Sequence, residues 1–96
     1  MRIYLSGKIT GTDDYMARFQ KAEQEWQDKG WEVINPAKTS ATLPILRHCQ
    51  YMEFDLVLLK FCDAIYMLDG WMDSEGALEE YRAAKGYGLQ IIKEGE

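Results

Sequence analysis

Strand-like and helix-like segments alternate along the whole 96-residue chain, and this alternation predicts an α/β fold. The expected architecture is a small doubly wound parallel sheet of about four strands, flavodoxin-like or Rossmann-like, with helices on both faces. Three observations carry the prediction. Four short apolar runs recur at Ile3-Tyr4-Leu5, Trp31-Glu32-Val33-Ile34, Asp63 to Leu68 and Leu89-Gln90-Ile91-Ile92. Between them lie three stretches with helical spacing. The order βαβαβαβ then requires crossover connections, which share one hand and so give parallel strands.

Ile3-Tyr4-Leu5 is a short strand that ends in Ser6-Gly7, followed by a loop from Lys8 to Asp13. From Asp14 to Lys29, Tyr15, Phe19, Ala22 and Trp26 recur at the 4-3-4 spacing of an amphipathic helix. Gly30 ends it. The second strand closes at Asn35-Pro36, because a residue before proline is pushed toward extended conformations. Ala37 to Arg47 reads as a loop of a length that suggests a function. A second helix is expected from Arg47 to Phe61, with Met52, Asp55, Leu56 and Leu59 on one stripe. Asp63 to Leu68 is apolar on both faces after its first residue, as in a buried parallel strand. A loop follows from Asp69 to Asp73. Ser74 can cap a third helix that runs to about Tyr87, Gly88 ends it, and Leu89 to Ile92 is the last strand. Residues 1–96 are expected to form a single domain.

Composition narrows the function. The net charge is −5, with eleven Lys and Arg scattered among sixteen Asp and Glu. That balance speaks against a nucleic-acid polymer as partner, because phosphate neutralisation needs a basic face. A small anionic ligand stays open, since backbone amides can hold it. No apolar run approaches the ~18 residues of a membrane span, so no membrane association is expected. The first residues open into a strand with no signal-peptide pattern, which points to a cytoplasmic protein. Two cysteines thirteen residues apart, Cys49 and Cys62, and one histidine, His48, do not make a zinc site. No metal and no cofactor is expected, and Cys62 reads as a reduced core residue.

Ligands of such sheets bind at the carboxyl ends of the strands, near the reversal of strand order. That edge would carry Ser6-Gly7-Lys8, Asn35-Pro36 and Asp69 to Gly76. In the first loop, Ser6-Gly7-Lys8-Ile9-Thr10-Gly11, glycines let backbone amides approach an anion while Ser, Thr and Lys add donors. A plain turn is the competing reading. In Ser74-Glu75-Gly76-Ala77-Leu78-Glu79-Glu80 the two glutamates point about 100° apart on a helix. Glu80 has Gly76, Ala77, Ala83 and Ala84 as its i±3 and i±4 neighbours, so it lies on a small, inward stripe, and Glu79 lies on the charged face. Asp55 has Tyr51, Met52, Leu58 and Leu59 around it, an apolar setting in which a carboxylate is usually paired, capping or catalytic. Asp63 reads as structural, and Arg47 and His48 as helix-start charges. Trp71 and Met72, in a polar loop, either cover a ligand or form a surface cluster.

Taken together, these segments resemble the nucleoside 2-deoxyribosyltransferase-like family. The resemblance rests on Tyr4-Leu5-Ser6-Gly7-Lys8-Ile9-Thr10-Gly11, on Asp55-Leu56 eight residues before Asp63, and on Ser74-x-Gly76-x-x-x-Glu80-x-x-x-Ala84, in that order. It includes the 2'-deoxynucleoside 5'-monophosphate N-glycosidase branch and looks nearest to short bacterial and phage members of unassigned function. Those also carry Asn-Pro after strand two and Gly-Trp before the serine. The resemblance implies that Glu80 is a nucleophile attacking C1' of the sugar, that Asp55 is the acid/base handling the departing base, and that Tyr4 holds the nucleophile by a hydrogen bond. It implies a substrate-binding set of Ser6, Gly7, Lys8, Thr10, Gly11, Trp71, Ser74 and Gly76. Lys8 departs from the small residue or proline of the family.

The chemistry suits these residue types. Cleavage of an N-glycosidic bond passes through an oxocarbenium-like state that a carboxylate can stabilise and trap, while a second carboxylic acid protonates the leaving base. The leading reading is therefore an enzyme that cleaves or transfers the N-glycosidic bond of a 2'-deoxynucleoside or its 5'-monophosphate. A nucleotide-binding module without turnover, a sensor or sponge, is the alternative; a purely structural domain would leave both inward carboxylates unexplained. A homodimer or higher homo-oligomer is expected, because Trp26, Trp31 and Trp71 are many large rings for so short a chain.

Overall fold

The computed structural model describes residues 1–9, 13–38 and 48–95, with side chains described for all of these except 48–51. The elements run β1 (Arg2–Ser6), α1 (Tyr15–Asp28), β2 (Glu32–Ile34), α2 (His48–Lys60), β3 (Ala64–Met67), a one-turn 3-10 helix (Trp71–Asp73), α3 (Glu75–Tyr87) and β4 (Gln90–Lys93). All four strands pair in parallel, in the order β2-β1-β3-β4. The chain moves outward from β1 to β2 and then returns past β1 to β3. Strand order therefore reverses between β1 and β3, and there the carboxyl ends of the strands leave room for a cleft.

The predicted α/β sheet is thus present, with small differences at element ends. The 3-10 turn lies inside the stretch read as a loop, where left-handed Gly70 (φ 86°) lets the chain turn into it. Residues 36–38 are helical, and Asn35 Oδ1 accepts the Ala37 N–H at 3.0 Å; the rest of the expected long loop, 39–47, lies outside the described residues. Ser74 Oγ accepts the Ala77 N–H at 3.2 Å and caps α3. Gly88, at φ 76°, ends α3 in the left-handed conformation that lets Gly88 and Leu89 bond back to Lys85 and Ala84.

Side-chain alternation along β1 and β3 builds two cores. Ile3, Leu5, Ala64, Tyr66 and Leu68 point to one face, where Phe19, Ala22 and Trp26 of α1 cover them. Tyr4, Ile65 and Met67 point to the other, against Leu59 and Cys62 at the end of α2 and Ala77 and Ala84 of α3. The helices thus lie on both faces, α1 on one and α2 with α3 on the other. The Trp26 ring meets Trp31 and Tyr66 edge-on, each at 5.3 Å between centroids. Trp71 packs on Tyr81 at 4.8 Å. All three tryptophans therefore have ring partners within the chain, and the interface expected to cover them is not required by their exposure.

The amino-terminal edge of the sheet is structural, as read from Asp63. Its backbone N–H donates to the Arg2 carbonyl, and its Oδ2 accepts the Arg2 N–H at 2.9 Å. Cys62 is buried, and burial pushes its thiol up to about 11, which leaves it inert. Among the described residues no helix is long and apolar enough to cross a membrane.

Candidate active site

Glu80 sits in the second turn of α3 with its carboxylate buried at the carboxyl edge of the sheet. Its placement follows from the small-residue stripe: Ala77 and Ala84, one turn to either side, are fully buried and bring α3 close to β1 and β3. Tyr4 and Ser6 are two residues apart on β1, so both project to the face that α3 covers. The Tyr4 hydroxyl donates to Glu80 Oε2, and the Ser6 hydroxyl donates to Oε1 at 2.7 Å. Each oxygen of one carboxylate is thereby held by its own hydroxyl. Glu79, one residue earlier, is exposed.

Asp55 approaches from α2 on the same face of the sheet and is 7% exposed. Its Oδ1 is buried and, among the described residues, has no hydrogen-bond partner. Burial pushes the Asp55 carboxyl up to about 7, against a hydrogen bond from Tyr4 that favours the charged form. Burial also pushes Glu80 up to about 7. There the Tyr4 and Ser6 hydrogen bonds oppose the rise, and the charges of Asp55 and Glu79 add to it. Burial, followed by the charges of Glu80 and Asp55, raises the Tyr4 phenol well above its ordinary value, so it stays a donor. One hydroxyl proton serves one carboxylate at a time, and in this structure it goes to Glu80. Near neutral pH the pair holds about one proton between two sites. Two donors on Glu80 and an unpartnered oxygen on Asp55 place the charge on Glu80 and the proton on Asp55.

Both carboxyls line a cavity of about 610 Å³, a size that accepts a small organic ligand. One wall is Gly7, Lys8 and Ile9 after β1; another is the start of α3, from Asp73 through Ala77. The amino-terminal, positive dipole end of α3 thus borders the cavity, and Lys8 is the one cation in its described lining. Gly7 is required by packing: a Cβ there would come within 2.9 Å of Leu68 Cβ and 3.4 Å of the Phe19 ring.

Of the residues expected at the site, Glu80, Asp55, Gly7, Lys8, Ser74 and Gly76 line the cavity. Tyr4 and Ser6 stand behind Glu80, fully buried. Ser6 was expected to touch substrate; instead its hydroxyl is spent on the glutamate, because it shares the inward face of Tyr4. Trp71 is not brought to the cavity, since its ring packs on Tyr81. Thr10 and Gly11 lie outside the described residues, as do Arg47 and the side chain of His48. Phe19, Pro36, Met52, Asp73 and Glu75 also line the cavity; Pro36, Asp73 and Glu75 belong to the strand-end edge expected to carry a ligand, whereas Phe19 and Met52 read from sequence as helix-stripe positions. Asp73 and Glu75 flank the capping Ser74, so the cap itself was the available signal. Among the described residues no three His, Cys, Asp or Glu side chains converge as a metal site.

The fold is shared with a solved structure described as Clostridium botulinum CMP N-glycosidase, BcmB. The TM-score is 0.70 at 24% sequence identity, with 100% of this chain and 72% of that one covered. A comparison with curated proteins gives no match. A family model described as Domain of unknown function (DUF4406) matches residues 1–93, and the chain belongs to that family.

Proposed function

We propose that this domain cleaves the N-glycosidic bond of a nucleoside or nucleoside 5'-monophosphate, with Glu80 as nucleophile and Asp55 as general acid. The observation that carries the reading is the buried Glu80 carboxylate in the cavity wall, gripped on both oxygens, with the carboxyl of Asp55 in the same cavity, its Oδ1 without a hydrogen-bond partner among the described residues. Two carboxyls in different environments suit the two roles that glycosidic cleavage divides between them. The family resemblance of the sequence, and a structural neighbour described as a CMP N-glycosidase, support the same chemistry.

In this mechanism a Glu80 oxygen forms a bond to C1' as the C1'–N bond breaks. The bond's electron pair leaves with the base, and Asp55 supplies its proton. The product is a glycosyl ester of Glu80 and a free base. Asp55, now ionised, takes a proton from water as that water attacks C1', which releases the sugar and restores Glu80. Tyr4 and Ser6 hold the carboxylate in place, and their hydrogen bonds keep it ionised in a site whose burial would otherwise protonate it. Gly7, Lys8 and the start of α3 are suited to the polar or anionic end of the substrate.

The test is incubation with a panel of nucleosides and their 5'-monophosphates, with chromatographic detection of free base. Release from the wild type and none above background from Glu80→Gln is the expected result. Release that persists in Glu80→Gln removes Glu80 as nucleophile. Thermal stabilisation by a nucleotide without base release assigns the cavity to binding alone.

A further inference from the structure

Charge is unevenly distributed around the cavity. Among the described residues its titratable lining is Lys8, Asp55, Asp73, Glu75 and Glu80. Near neutral pH the Asp55–Glu80 pair carries about one negative charge, and Asp73 and Glu75 are exposed carboxylates beside it. Lys8 is the single opposing cation, and among the described residues no ion pair joins it to either of them. The start of α3 is also partly taken up. Ser74 Oγ accepts the Ala77 N–H, and the Ser74 carbonyl accepts the Leu78 N–H at 3.0 Å. Asp73 and Glu75, one residue to either side of that cap, already sit where a helix dipole favours negative charge. The Asp55 side chain, in a residue 7% exposed, brings to the same cavity a buried Oδ1 with no hydrogen-bond partner among the described residues. A buried polar atom left in that state marks the place of a ligand's polar group.

We infer that Asp73 and Glu75 act as a charge filter, so that the cavity takes an uncharged nucleoside with a free 5'-hydroxyl in preference to its 5'-monophosphate. This rests on the proposed reaction for the kind of ligand and chooses between its two substrate classes. A phosphate monoester brings a charge of about −1.5 to −2 at pH 7. It would enter a lining in which Lys8 is outweighed by Asp73, Glu75 and the Asp55–Glu80 pair. A like charge placed against the unwanted ligand is a common means of rejecting it. A 5'-hydroxyl meets no such repulsion, and an exposed carboxylate can accept a hydrogen bond from it. At about 6 Å through water one pair of unit charges changes affinity roughly threefold. Two carboxylates against a near-dianion, offset by Lys8, therefore leave a discrimination on the order of tenfold.

The test sets each of the common 2'-deoxynucleosides against its own 5'-monophosphate, with the full chain at low salt. The readout is the ratio of kcat/KM for base release, or of Kd by calorimetry where no base is released. The nucleoside should be favoured on the order of tenfold. Raising the salt to about 0.5 M shortens the screening length to roughly 4 Å and should narrow the preference severalfold. Asp73→Asn/Glu75→Gln, with folding checked by circular dichroism, should move the ratio toward the monophosphate by on the order of tenfold, and Lys8→Gln should move it the other way. A wild type that prefers the monophosphates overturns the inference. So does a preference that neither salt nor these variants alter, which is the mark of a steric fit, or a panel in which no nucleoside binds. A salt-sensitive preference for the nucleoside in binding, without base release, upholds the filter and removes the proposed reaction instead.

Discussion

Replacing Ser6 by alanine tests the site where its geometry is most specific. The hydroxyl donates to Glu80 Oε1 at 2.7 Å, and the residue is fully buried, away from bulk water. A hydrogen bond to a charged group is worth ~1.5–3 kcal/mol. Its loss moves the proton of the carboxyl pair toward Glu80 by roughly 10- to 100-fold, since about 1.4 kcal/mol is a factor of ten. Burial pushes Glu80 and Asp55 both up to about 7, so the hydroxyl donors on Glu80 are what hold the charge there and the proton on Asp55. The share of the singly protonated pair in that productive arrangement should fall severalfold or more, up to roughly 100-fold, and kcat/KM should fall with it. The direct assay is a 13C NMR titration of protein labelled at the glutamate carboxyl. In Ser6→Ala the Glu80 resonance should titrate at higher pH than in the wild type, with base release measured in parallel. A Glu80 titration that overlays the wild type refutes the argument, whatever happens to the rate.

Two further outcomes follow from the same structure. Asp55 titrates near 7 when folded and near its ordinary 3.8 when unfolded, so between these values the folded state alone holds the proton. Stability from this group is complete below about pH 4 and is lost as pH rises through 7. Asp55→Asn should therefore flatten that slope and stabilise the protein above pH 7 by ~1–3 kcal/mol while abolishing acid catalysis; thermal melts at pH 5 and 8 check the sign. Gly7→Ala should destabilise by ~1–3 kcal/mol, because the added methyl meets the Leu68 Cβ at 2.9 Å, and an unchanged melting temperature would contradict the tight approach at that turn.

The elements and the inward-facing side chains were legible in the sequence, because both are set by local chemistry. The Phe19, Ala22 and Trp26 spacing, the Ser74 cap and the Gly88 stop fix helices within a few residues. The same 3.6-residue period separates buried Glu80 from exposed Glu79 and turns Asp55 toward the core. Which groups meet depends on the packing of elements distant in the chain. Tyr4 and Ser6 reach Glu80 across 76 and 74 residues of chain, which requires β1 next to β3 and α3 packed over both. That order decided that Ser6 stands behind the glutamate instead of facing a ligand, and that Trp71 is taken up by Tyr81. It also left one buried oxygen of Asp55 without a hydrogen-bond partner among the described residues. Periodicity says which way a side chain points, while the strand order and the crossovers settle which charge or hydroxyl waits there, and that neighbour sets the protonation state on which the chemistry turns.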